Sequence, residues 1–327
     1  MNNKKKESIL FLYPTYVCSS NCNFCFIDPK LRKRSNDLSL DEIKNNILYL
    51  EKIYIINQLA LVGGDPLLYK DFIPLMDYLG DNYFWNLKIK SFVLCTEGLN
   101  CSSKKLVNYL SKFFISDLNS CIHISLNNFY PEDRFFKKRK QAILNLAKNK
   151  FNVRFVIIFT KNNINKIESI SKFINDLFLR YYSNSTFHNF IVELRLPFNL
   201  KGDENELFVS HPDYFFKTFN NICNLFFKKN IPFTLRNIPL CYLKKDSVKI
   251  LDKISKTYKK VDVNKKIVRI DKQHQLKYAE ISTYSDEKWK LQKECLLCNL
   301  KDMCNGITKT YIKKFKYPKL NPFISND

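Results

Sequence analysis

The sequence has very little glycine. Six occur in 327 residues, Gly63, Gly64, Gly80, Gly98, Gly202 and Gly306, where average usage near 7% gives roughly 23. A chain that avoids glycine keeps it where backbone geometry leaves no alternative. No apolar run is long enough to span a bilayer, so no membrane-spanning helix is expected. The start MNNKKKESILFLYP is basic, but Pro14 cuts its apolar stretch short and no small-residue cleavage site follows. A signal peptide is therefore not expected and the chain reads as cytoplasmic. Arginine is scarce, nine against 45 lysines, and acidic residues are outnumbered 31 to 54, for a net charge of +23. That surplus is either a solvated lysine surface or an attraction to an acidic partner, nucleic acid or peptide. Apolar matter is not lacking: 45% hydrophobic and 15% aromatic residues exclude disorder as the default. Eleven cysteines in a reducing compartment are thiols or metal ligands rather than disulfides.

Short β-friendly runs alternate with amphipathic stretches. Strands are expected over Ile9–Tyr16, Gln58–Val62, Lys90–Cys95, Ile122–Leu126, Val153–Phe159 and Ile191–Leu196, with Phe233–Arg236 extended. Helices are expected from the capping box Ser39-Leu40-Asp41-Glu42 onward, over Phe72–Leu79, Lys104–Phe114 and Glu132–Asn149, from a cap at Asn165 to about Arg180, and over Pro212–Lys229. Six alternations are the pattern of repeated βαβ units and a parallel sheet, too few for a closed eight-fold barrel and enough for a partial (β/α)6 TIM-like barrel. After Pro239 the rhythm changes. Lys266–Asp271 and Leu276–Ser282 read as a β-hairpin before a cysteine-dense segment and a basic tail. A boundary near residue 240 divides the chain into 1–240 and 241–327.

Cys18, Cys22 and Cys25 form C-x3-C-x2-C in the loop after the first strand. Three thiolates this close reach one metal centre. On a four-iron cluster they leave one iron open to an exogenous group, the open-position logic that separates catalytic from structural zinc sites. The alternative is a zinc site short of a ligand. Further on, Cys295-x2-Cys298-x5-Cys304-x-Gly306 has a possible fourth ligand upstream in Cys241. Four thiolates suit a closed structural or electron-relaying cluster, or a zinc knuckle, since spacing alone does not separate zinc from iron. Cys95, ending the third strand, is either a small buried hydrophobe or a hydrogen-atom donor. Cys223 reads as core. His123 and His274 have no ligand spacing and receive no role.

The triad and its context resemble the radical S-adenosylmethionine (SAM) superfamily. Val62-Gly63-Gly64-Asp65-Pro66 looks like that family's GGEP motif with Asp for Glu; Thr96-Glu97-Gly98 looks like its TNG turn with Glu97 for Asn; Ser125-Leu126-Asn127 is similar to its S-L-D. All three fall at successive strand C-termini, where a βα barrel builds its active site. The resemblance implies a [4Fe–4S] cluster with SAM on its open iron, reductive cleavage to a 5′-deoxyadenosyl radical, and hydrogen abstraction from a substrate. It implies that Gly63, Gly64, Asp65 and Pro66 cradle the methionine amino group, that Phe24 lies near the adenine, and that Thr96 and Ser125 contact ribose or methionine. It also implies adenosine contact for Asn162 or Asn163, and either the methionine carboxylate or an acidic substrate group for Arg195.

The second cysteine set resembles the Twitch or truncated SPASM extension of peptide-modifying members of that superfamily, with one auxiliary [4Fe–4S] cluster. The implied function is modification of a ribosomal peptide or protein: cross-link, thioether or epimerisation. The implied partners are an electron donor such as flavodoxin or ferredoxin and, since the barrel starts near residue 9, either a separate leader-binding protein or a surface groove for a leader. RNA or a small metabolite is the rival substrate, although no RNA-module motif is present. A zinc-stabilised binding protein is the rival of another class.

Overall fold

The computed structural model describes residues 5–114 except Asn23 and Phe26, together with 119–184, 189–197, 212–236, 238–243, 266–272, 289–290, 293–301, 304 and 306–308. Strands and helices alternate: β1 (Lys6–Leu12), α1 (Leu40–Ile53), β2 (Tyr54–Leu61), α2 (Phe72–Leu79), β3 (Ser91–Thr96), α3 (Lys104–Leu110), β4 (Asn119–Ser125) and α4 (Phe136–Lys148). They continue as β5 (Val153–Ile158), α5 (Ile167–Tyr181), β6 (Phe190–Arg195), α6 (Pro212–Lys228), β7 (Phe233–Arg236) and β8 (Lys266–Ile270). The eight strands form a parallel α/β sheet ordered β7-β6-β5-β4-β3-β2-β1-β8, the class of the expected partial barrel. Two short strands, β9 (Trp289–Lys290) and β10 (Ile307–Thr308), pair antiparallel.

The chain divides into two compact units, the first holding residues 1–125, 134–154 and 262–283, the second 126–133, 155–261 and 284–327. In the first unit, β1 pairs in parallel with β2 on one side and β8 on the other, and β3 pairs with β2 and β4. Local chemistry sets the helices. The Ser39 hydroxyl accepts from the Glu42 N–H (3.2 Å) while Glu42 accepts from the Ser39 N–H (2.7 Å), closing the box at the start of α1. Its buried face is Ile43, Ile47 and Leu50, so the helix is held by packing as much as by propensity. In β3 and β4 every second residue is buried (Phe92, Leu94 and Thr96; Ser120, Ile122 and Ile124). The alternate positions, Val93 and Cys95 on β3 and Cys121, His123 and Ser125 on β4, are half-buried on the other face.

Two expectations change, and one strand gains a distant neighbour. Lys266–Ile270, expected as the first arm of a hairpin, lies parallel to β1 from Ser8↔Lys266 to Leu12↔Ile270; the second arm, 276–282, lies outside the described residues. Asn165 does not cap α5; a single 3-10 turn, Ile164–Lys166, leads in without a side-chain cap bond. Strand β1 ends at Leu12 rather than Tyr16, so Tyr13–Val17 is already part of the loop that carries the cysteines.

Candidate active site

The loop after β1 is held by backbone hydrogen bonds to the loop after β2. The Val62 N–H donates to the Leu12 carbonyl (2.9 Å), the Gly64 N–H to that of Thr15 (3.0 Å) and the Asp65 N–H to that of Val17 (2.7 Å). The two glycines make this approach possible. A Cβ on Gly64 would sit 2.2 Å from the Val17 oxygen and 2.4 Å from that of Tyr16, and Gly63, at φ +127°, would meet the Thr15 oxygen at 2.4 Å. Close approach, expected from glycine scarcity, is thus found, but toward the backbone leading to Cys18.

Asp65 is fully buried. It caps the 3-10 turn Pro66–Leu68 by accepting from the Leu67 N–H (3.1 Å) and accepts the Thr96 hydroxyl proton at 2.7 Å. Burial pushes its carboxyl up to about 7, with the Glu97 carboxylate adding to the shift. Thr96 also accepts from the Gly98 N–H (2.9 Å). Asp65 and Thr96 therefore cross-tie the turns after β2 and β3, and Pro66 starts its turn with no N–H to satisfy.

Glu97, 6% exposed, gathers the cysteine loop. One carboxylate oxygen accepts from the Ser19 N–H (3.1 Å), the Ser19 hydroxyl and the Cys18 thiol (3.9 Å); the other accepts from the Ser20 hydroxyl. Arg139 of α4 pairs with that second oxygen at 3.1 Å and donates to Ser20 Oγ at 3.1 Å, both side chains of the ion pair being buried. Burial, then the Glu97 charge, pushes the Cys18 thiol up to about 12. Burial, then the neighbouring Cys25, pushes Cys22 up to about 11. Cys18, Cys22, Cys25 and Phe24 are half-buried, and the Cys25 N–H closes a turn on the Cys22 carbonyl (3.1 Å). Among the described residues no three His, Cys, Asp or Glu side chains are gathered closely enough to hold a metal ion.

Cys95 is half-buried rather than core, with Sγ 3.7 Å from Nδ1 of His123, its register partner on β4. Ser125 ends β4 half-buried on the same face. Against the second neighbour of β1, Arg269 of β8 lies over the Tyr13 ring (4.2 Å) and is ion-paired with buried Asp271.

The second unit carries the other candidates. Arg195 is ion-paired with buried Glu193, and Arg236, its register partner on β7, lies 3.8 Å from the same carboxylate. Asn163 is a turn residue, accepting from the Thr160 N–H (2.9 Å) and donating to the Ile158 carbonyl (2.7 Å), while Asn162 is exposed. Of the four downstream cysteines, Cys295 and Cys298 are buried and Cys241 and Cys304 half-buried. The sulfur of Cys304 accepts from the backbone N–H of Leu240 (3.5 Å), next to Cys241, and of Gly306 (3.4 Å). Its thiol is pushed up by burial first, with Cys295 and Cys298 near enough to add. Cys223 is fully buried in α6.

Sequence reasoning missed Arg139, Arg236 and the pairing of His123 with Cys95. A signal for Arg139 was present: it sits with Ala142, Ile143 and Leu146 at helical spacing on the buried face of α4, where an arginine needs a partner.

Residues 12–174 match the family described as the Radical SAM superfamily. A Methanocaldococcus jannaschii protein, provisionally named a glycyl-radical enzyme activating enzyme, is 28% identical over 179 residues, covering 51% of this chain and 63% of that protein. The chain thus spans less than two thirds of that relative's length. Among solved structures, Streptococcus suis SuiB bound to S-adenosylmethionine superposes with a TM-score of 0.60 at 14% identity, over 98% of this chain and 77% of that one. The enzyme anSMEcpe with bound AdoMet and the Cp18Cys peptide gives a TM-score of 0.62 at 16% identity, over 97% and 92%. At these identities the likeness is one of fold.

Proposed function

We propose, from the premise that residues 12–174 are a Radical SAM superfamily domain, that the protein is a radical SAM enzyme modifying a peptide or protein. The carrying observation is the cysteine loop itself, bound through its backbone to Gly64 and Asp65 and through Ser19 and Ser20 to Glu97. The family implies a [4Fe–4S] cluster and SAM, and the donor set fits the cluster. Cys18, Cys22 and Cys25 are soft ligands on one short loop, and partial burial disfavours the free thiolates of the first two, a penalty that a bound metal centre would offset. When bound, the cluster and SAM supply one-electron cleavage to a 5′-deoxyadenosyl radical that takes hydrogen from the substrate.

The chain's own residues bind and orient. Cys18, Cys22 and Cys25 hold the cluster. The turn Gly63–Pro66 receives the methionine end, Phe24 the adenine, and Ser125 the ribose, with Thr96 fixing the turns rather than reaching outward. In the second unit, Arg195 with Arg236 receives a carboxylate, and Asn162 rather than turn-bound Asn163 is open for contact. Cys241, Cys295, Cys298 and Cys304 hold an auxiliary [4Fe–4S] cluster, supported by the approach of Leu240 to Cys304. Residues 1–240 with β8 then serve as the core, and the rest of 241–327 as the auxiliary region. A flavodoxin or ferredoxin supplies electrons.

A peptide substrate is supported by the Cp18Cys peptide bound to anSMEcpe. The name of the archaeal relative favours a second reading, in which a glycyl-radical protein is the substrate. Anaerobic reconstitution tests the core assignment. Two clusters bring iron to about eight per chain, and Cys18→Ala/Cys22→Ala/Cys25→Ala keeps about half. The Cys22→Ala chain loses 5′-deoxyadenosine formation under dithionite. Undiminished formation in that variant refutes the assignment. Zinc in place of iron in the triple variant refutes the auxiliary cluster alone.

A further inference from the structure

Two of the residues between Cys18 and Cys22, Ser19 and Ser20, spend their hydrogen-bonding capacity on a single side chain. Glu97 takes the Ser19 N–H, both serine hydroxyls and the Cys18 thiol. Arg139 holds the second carboxylate oxygen and Ser20 Oγ from the other side. The arrangement is internally matched: a buried anion with five donors around it, one of them the compensating cation. An unpaired charge at that depth is strongly disfavoured, so neither partner stands without the other. The resemblance places asparagine at position 97. An amide at this position would lack the charge that pairs with Arg139 and would present a donor where Ser20 or Arg139 now donates.

We propose that Glu97 is the positioning residue of the cysteine loop and Arg139 its counter-charge, together anchoring the Cys18–Cys22 segment before any metal arrives. The two also set the charge beside the cluster. This rests on the cluster reading above for its second half only, because the anchoring is a property of the metal-free chain.

The test begins with that metal-free chain. Thiol alkylation is followed site by site by mass spectrometry in wild type, Glu97→Ala, Glu97→Gln and Arg139→Gln. Loss of several charge-assisted bonds predicts that Cys18 and Cys22 react at least about tenfold faster in Glu97→Ala. Cys101, fully buried in the same unit, stays at the wild-type rate. Equal acceleration of Cys101 means general unfolding and overturns the positioning role, as does an unchanged rate at Cys18 and Cys22. If Glu97→Ala does not fold, Glu97→Gln is read by the same ratio.

The second measurement is the reduction potential of the triad cluster in chains lacking Cys298. Glu97→Gln removes a negative charge and raises the potential. Arg139→Gln leaves that charge uncompensated and lowers it. Shifts of the same sign in both variants overturn the charge-setting role. Faster alkylation in Glu97→Ala with no iron at the triad in wild type leaves the anchoring supported and removes the cluster reading.

Discussion

Replacing Gly64 by alanine probes the backbone contact between the two motif loops. The added Cβ lies 2.2 Å from the Val17 oxygen and 2.4 Å from the Tyr16 oxygen, both main-chain atoms. Reaching ordinary contact requires the segment to retreat by about 1.2 Å. Overpacking of this kind costs about 1–3 kcal/mol. The retreat also stretches the bonds from the Gly64 and Asp65 N–H groups, now 3.0 and 2.7 Å, at about 1 kcal/mol each. The total is about 3–5 kcal/mol. For a unit of this size each kcal/mol lowers the melting temperature by about 2–4 °C, so a fall of roughly 6–20 °C is expected in the metal-free, SAM-free chain. Circular dichroism on heating, with urea unfolding as a second probe, measures it. If glycine were needed only to let a ligand approach, the ligand-free melt would not move and only SAM affinity would fall. A ligand-free melting temperature within about 2 °C of wild type refutes the packing account.

Asp65 binds its proton more tightly folded than unfolded, about 7 against an ordinary 3.8, so the native state holds more protons between those values. Stability should fall as pH rises from about 4 to about 7, and Asp65→Asn should flatten that slope in urea titrations; parallel profiles for the two proteins count against it. Arg195→Gln removes the nearer cation from buried Glu193, Arg236 lying at 3.8 Å, and a destabilisation of about 1–3 kcal/mol in urea is expected. A neutral result would mean that the pair is not structural. Cys223→Ser places a hydroxyl in the apolar interior of α6, destabilising by about 1–3 kcal/mol, while iron per chain stays at the wild-type value. Iron loss in that variant would place Cys223 among the ligands.

The strand–helix rhythm was legible because each buried strand announces itself by apolar residues and each helix by its stripe. Strand starts were less so. Strand β1 begins at Lys6 and β2 at Tyr54, residues paired with each other across the sheet, and polar strand ends such as Lys6 and Glu7 carry no hydropathy signal. Strand β8 was recognised as a strand, but its pairing with β1 was not, because local pattern is silent about a partner more than 250 residues away. The motif loops could be found from spacing, but their internal division of labour could not. That Thr96 turns toward Asp65 and that Glu97 turns toward Ser19 depends on which loops meet, and the partner of Arg139 lies 42 positions upstream on another element.

The place of β8 has a consequence for the order in which the chain takes shape. Strand β1 lies between β2 and β8, so its second edge is unpaired until Lys266–Ile270 has been synthesised. At about 5–20 residues per second, Ser8 precedes its partner Lys266 by roughly 13–50 s. Through that interval the nascent strand offers an open row of N–H and C=O groups bearing Ile9 and Phe11, a template for unwanted pairing. Tyr13, at the mouth of the cysteine loop, also waits for the Arg269 guanidinium that covers its ring. A chain released before residue 270 holds all three cysteines of the first triad and both motif turns, yet leaves the strand that delivers them with one bare side.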